Sequence, residues 1–301
     1  MKGHLADRVD IFSFEMLAVV GDRFGSHLRG IASLLQLWQV NGNSPGVKGV
    51  VYWTWYRSDT WAALHTRRRM FLDESYWEPP AVDSFDQLSY ADIANRAMFL
   101  LGQCTSFCST SIDETDNTSS FAEALEARQS TMTKLRDALE QWKRMLPASM
   151  TLFIAGRATH KDPSNEGQRD QCLQDISSIH YIYPEAAIGI QIYHACHILL
   201  ALGSPPWPSH QQGPRSSTFE SLATRRLISQ SREQILLIAN SGTTETFGFV
   251  STQCLYIAGL VTEGVHERRL TLELIEKCQV ESGRQTVCIA DELRAAWTRS
   301  E

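Results

Sequence analysis

The stretch Pro184 to Gly203, PEAAIGIQIYHACHILLALG, constrains the fold more than any other, because its helical wheel carries apolar residues on every side. A helix of that kind has no face to give to water and belongs inside the protein. Pro184 suits a first helical position, and Gly203 followed by Pro205 and Pro206 is a stop signal. At about 1.5 Å per residue the helix runs roughly 30 Å, the width of a small domain. A membrane span is the poorer reading, since Glu185, Gln191, His194 and His197 interrupt the roughly 18 uncharged apolar residues that a span needs. Other helices must therefore wrap this one.

Helical spacing of apolar residues predicts those partners. They cover Ala6 to Val20, His27 to Val40, Val47 to about His65, Leu88 to Phe107, Phe121 to Leu146, Phe219 to Asn240, Gly248 to Leu260, His266 to Val280 and Thr286 to Trp297. The clearest amphipathic one is Phe121 to Leu146, where Leu125, Met132, Leu135, Leu139, Trp142 and Leu146 form a stripe that only Arg128 breaks. That break favours packing within the chain over a long coiled coil. Asn41 to Gly46 is a turn, and three polar stretches, 109–120, 156–170 and 204–217, link helices without marking a domain boundary. No run alternates like a strand. The expected fold is all-α, an irregular multi-helix bundle around a buried central helix, with 1–301 as one domain. A chain of 301 residues can bury roughly three quarters of its unfolded surface, enough for such a core.

A formal net charge of -6 argues against a broad phosphate-neutralising surface, so no direct nucleic-acid binding is expected. The seven cysteines, at 104, 108, 172, 196, 254, 278 and 288, are dispersed within helical patterns and read as reduced, buried thiols. No apolar run of signal-peptide length opens the chain, so an intracellular, non-secreted protein is expected and the Asn117 sequon carries little meaning.

Several motifs suggest chemistry and fail on physical grounds. Gly42-Asn43-Ser44-Pro45-Gly46 fits the nucleophile-elbow pattern, but a helix precedes it and Pro45 has no N–H for an oxyanion hole. His194 and His197 share a helix face yet supply only two metal ligands, and Glu263 with His266 makes one Glu-x-x-His where a di-iron bundle needs two. Asp113, Glu114 and Asp116 sit among serines and threonines at the wrong spacing for a magnesium motif. Arg67-Arg68-Arg69 reads as a solvated basic run. Arg57 and Asp59 are more informative. Set among Trp53, Tyr56 and Trp61, each needs a partner on another element if buried, or else lines a polar cavity.

Taken together, four stretches resemble the regulatory, or middle homology, domain of fungal binuclear zinc cluster transcription factors. YWTWYRSDTWAALHTRRRMFLD carries Trp53, Arg57, Asp59, Ala63 and Leu64; LEQWKRMLP closes the amphipathic helix. YPEAAIGIQIYHACHILL carries Gln191, Tyr193, His194 and Ala195. The last and most specific block, TQCLYIAGLVTEGVHERRLTLELIEKCQVESG followed by ELRAAW, carries Gln253, Leu255, Ala258, Gly259, Glu267, Arg268, Ile275, Gly283, Leu293 and Trp297. The resemblance runs from about Phe12 to Trp297. It departs in having Arg284 where relatives tend to have tryptophan, and in lacking the family's six-cysteine DNA reader. An N-terminally truncated domain is the expectation.

The resemblance implies a nuclear, non-catalytic module that modulates transcription through intramolecular contacts, transcriptional protein partners or a small effector. It implies no metal or cofactor in this chain, zinc belonging to the missing cluster. Trp53, Tyr56, Arg57 and Asp59 are the expected border of an effector cleft, because aromatic and cationic residues share one helix. Two alternatives stay open: an all-α enzyme acting on prenyl diphosphates, and a helical scaffold that homodimerises through Phe121 to Leu146.

Overall fold

A computed structural model describes residues 23–109, 121–156, 178–204, 214–242, 247–282 and 287–300. The expected helix at Ala6 to Val20 and the acidic stretch holding Asp113, Glu114 and Asp116 lie outside them. The fold is all-α. Its helices are α1 (Arg23–Leu37), α2 (Val47–Thr66), α3 (Tyr90–Ser109), α4 (Phe121–Arg144), α5 (Ala148–Thr151), α6 (Pro184–Leu202), α7 (Pro214–Asn240), α8 (Gly248–Leu260), α9 (Val265–Ser282) and α10 (Val287–Ser300). A short antiparallel pair, β1 (Phe153–Gly156) and β2 (Ser178–Tyr181), sets Phe153 opposite Tyr181 and Gly156 opposite Ser178. Four residues per strand are too few for alternation to signal them.

The described residues gather into two compact units. Among the described residues the first draws on 23–88, 95–109, 121–145 and 202–204, the second on 89–94, 146–156, 178–201, 214–242, 247–282 and 287–300. Neither is a continuous stretch, so no linker marks the division.

The interior helix of the first unit is α2. It starts after Gly46, whose φ of 63° is open to glycine, and ends at Arg67 in the left-handed region with φ 51°. Between them Tyr52, Trp55, Tyr56, Ala62 and Ala63 are almost wholly buried. Two buried donors tie α2 to its neighbours: Trp55 Nε1–H reaches Leu28 O of α1 at 3.1 Å, and Tyr56 O–H reaches Phe99 O of α3 at 3.0 Å. The stripe of α4 is used inside the chain, with Met132, Leu139 and Trp142 buried. Arg128, the residue that breaks the stripe, donates to Phe107 O at 3.2 Å and to Gly203 O at 2.9 Å, and lies over the Phe107 ring. A cation is well placed on carbonyls at helix C-terminal ends.

In the second unit α8 is buried around its circumference, from Gly248 through Leu255 and again from Ile257 to Gly259, and packs against α7, α9 and α10. It is a second interior rod in addition to α6, where the sequence points to one. Its hydroxyls allow this, because Thr252 Oγ1–H turns back to Gly248 O at 2.9 Å and Ser251 Oγ meets Cys278 Sγ at 3.8 Å. The helix α6 has the length and composition of a membrane span, yet two thirds of it is buried in protein. Its Gln191 donates to Ile235 O of α7 at 3.1 Å, and His194 Nδ1 lies 3.3 Å from Ser231 Oγ.

Candidate functional site

The residues expected to line a cleft sit in a filled aromatic core. Tyr52 and Trp53 meet edge to face at 5.4 Å, Trp53 and Trp77 at 5.8 Å, and Tyr56 stacks on Phe99 at 5.9 Å. Trp53 Nε1–H donates to Gly42 O at 3.2 Å, and a Cβ on Gly42 would overlap the Trp77 and Trp53 rings. That close approach is what the glycine of the 41–46 turn provides. Ser44 is part of the same turn, its Oγ accepting from Asn41 N–H at 3.0 Å. Burial holds the Tyr56 hydroxyl well above its ordinary pKa, so it stays protonated as a donor. Trp53 and Tyr56 are thus buried among these rings. A broad groove of about 560 Å³ in this unit runs between α3 and α4 past Leu100, Gln103, Arg128 and Lys134.

Arg57 and Asp59 find their partners on other segments. Arg57 Nη2–H donates to Asn95 Oδ1 of α3 at 2.6 Å, and desolvation pushes its guanidinium down to about 10, still charged at neutral pH. Asp59 is wholly buried and accepts from Arg68 Nη2 at 2.5 Å and from Phe71 N–H at 2.8 Å. Arg68 also lies over the Phe71 ring at 3.8 Å. The run at 67–69 is thus only partly a solvated one, for the reversal at Arg67 folds Arg68 back onto α2. Desolvation raises the Asp59 carboxyl above its ordinary range, and the Arg68 charge and hydrogen bond oppose it.

The C-terminal block that carries the strongest resemblance converges in the second unit. Trp297 Nε1–H donates to Gly259 O at 2.8 Å, and a Cβ at Gly259 would press on the Leu293 methyls. Arg268 lies over the Trp297 ring at 5.3 Å and donates from Nε to Thr262 O at 3.1 Å. Glu267 takes Arg232 of α7 in an ion pair at 2.9 Å. Gln253, Leu255, Ala258 and Ile275 are buried with them; Gly283 and Arg284 lie outside the described residues.

Among the described residues no three His, Cys, Asp or Glu side chains converge as metal ligands would. His197 is buried against the Tyr193 ring at 4.5 Å, and His266 is exposed beside Arg269. Cys104, Cys196, Cys254 and Cys278 are buried thiols; desolvation pushes the half-buried Cys108 thiol up to about 12, which suppresses its thiolate.

Periodicity does not reveal a small cavity at the head of α6, bounded by β2, the end of α7 and Phe247. Only the buried glutamine in an otherwise apolar helix could have drawn attention to it. Comparison of the chain with protein-family models, curated proteins and solved structures returns no match.

Proposed function

We propose that this chain is a non-catalytic regulatory module of the kind found in fungal zinc cluster transcription factors, working in the nucleus through transcriptional protein partners and a small effector. The observation that carries the proposal is the C-terminal cluster. The residues on which the resemblance rests most specifically, Gly259, Glu267, Arg268, Leu293 and Trp297, are held to one another or to their immediate neighbours by side-chain hydrogen bonds, an ion pair and ring contacts. An assembly drawn from three successive helices explains why these residue types would recur in that order. A regulatory body of this type acts only if a ligand or partner binds two of its states with different affinity.

The test is to tether the chain to a heterologous DNA-binding domain and read a reporter. The proposal expects expression to shift at least severalfold, in either direction, relative to the DNA-binding domain alone. Unchanged expression from a fusion that accumulates in the nucleus and is folded by circular dichroism would remove it.

A further inference from the structure

The cavity at the head of α6 encloses about 100 Å³. A closed apolar cavity that holds benzene has about 150 Å³ and one water needs only about 10–15 Å³, so this smaller space takes several waters or part of an aromatic ring, the rest of which would lie in its partly open mouth. Its walls are mainly apolar, among them Ile179, Ala187, Ile188 and Phe247. His180, Tyr181, Gln191 and Ser241 are its polar lining, and the last two give it chemical direction.

The first is Gln191, wholly buried and lining the cavity. Its Nε2–H donates to Ile235 O at 3.1 Å. A backbone carbonyl can only accept, so that contact fixes the amide's orientation. The amide oxygen Oε1 is left buried without a hydrogen-bond partner. A carbonyl oxygen in that position loses free energy until a donor reaches it. The second is Ser241, whose hydroxyl hydrogen is taken by Ile179 O at 2.6 Å or Leu237 O at 3.1 Å, leaving its oxygen also to accept. No Asp, Glu, Lys or Arg lines the space. Gln191 and Ser241 thus offer acceptors on mainly apolar walls, with no carboxylate to balance a cation and with His180 and Tyr181 of β2 as the remaining polar lining.

We propose that this cavity binds a small uncharged molecule, phenol-like in size, whose hydroxyl donates to Gln191 Oε1 while its apolar body rests against Ile188 and Phe247. Binding there joins β2, α6 and α7 through one ligand. Occupancy follows from the geometry; only its use as an effector site rests on the regulatory reading.

The test titrates the whole chain with phenol and with toluene, followed by ligand-observed NMR. Phenol is expected to bind in the millimolar range and more tightly than toluene. Gln191→Met, which keeps the volume and removes the acceptor, is expected to weaken phenol by ~5–10-fold and to leave toluene unchanged. Ala187→Phe, at a half-buried wall, is expected to exclude both and serves if the first variant does not fold. Equal affinity for phenol and toluene, phenol binding indifferent to Gln191→Met, or phenol binding retained in Ala187→Phe would each overturn the proposal, as would a cavity that exchanges only water. Phenol binding as described with no effect on the tethered reporter would leave the site standing and count against the effector role.

Discussion

Replacing Arg68 by alanine is expected to remove about 3–5 kcal/mol of stability near neutral pH, because it strands the wholly buried Asp59 carboxylate without its counter-charge. The effect has a sign that depends on pH. Burial raises the Asp59 carboxyl, so in the window just above the ordinary carboxyl range the folded state holds more proton than the unfolded chain. The stability contributed by this group is therefore largest below that window and falls as pH rises through it. Removing Arg68 takes away the charge that opposes the rise, which widens the window. The gap between parent and Arg68→Ala should consequently shrink in mild acid, and Asp59→Asn placed in the Arg68→Ala background should recover much of the loss. Urea unfolding at the two acidities measures both. A penalty that is the same in acid and at neutrality, and undiminished by Asp59→Asn, would contradict the pairing.

The second large effect is expected at Trp297. Truncation to alanine removes a buried ring, its hydrogen bond to Gly259 O and the face on which Arg268 rests, and should destabilise the chain by about 3–5 kcal/mol. Trp297→Phe keeps most of the apolar area and loses the donor, which should reduce the penalty to about 1–3 kcal/mol for the unpaired carbonyl and lost volume. Thermal unfolding distinguishes the two. If phenylalanine were as damaging as alanine, the hydrogen bond and not the ring volume would dominate. If neither variant mattered, the C-terminal cluster would not be part of the core.

What the sequence makes legible is periodicity. The limits of α8 agree with the expected Gly248 to Leu260, and α6 ends one residue before the expected Gly203, because local apolar spacing and glycine or proline punctuation define both. The burial of α8 was less apparent, since Ser251, Thr252 and Gln253 in succession resemble a polar face. Thr252 satisfies itself within the helix and Ser251 meets a cysteine of α9, and neither arrangement leaves a mark on spacing. The charged pair in α2 shows the same limit. Sequence logic demands partners for Arg57 and Asp59, but naming Asn95 and Arg68 requires the path of the chain, a left-handed reversal at Arg67 in one case and a separate helix in the other. The aromatic and charged residues of α2 show a related limit. A helix crowded with aromatic rings and a cation can line a cavity or fill a core, and only the rings of Trp77 and Phe99, from elsewhere in the chain, decide for the core.

Hydrogen exchange along α6 tests the central claim most directly, because from Ile188 to Leu200 every residue but Tyr193 and His194 is buried, which leaves little exposed edge from which to open. The amides from Ile188 to Leu200 are expected in the slowest class of the chain, exchanging only when the protein unfolds as a whole. Exchange of those amides as fast as the exposed face of α4 around Glu126 would contradict an interior helix.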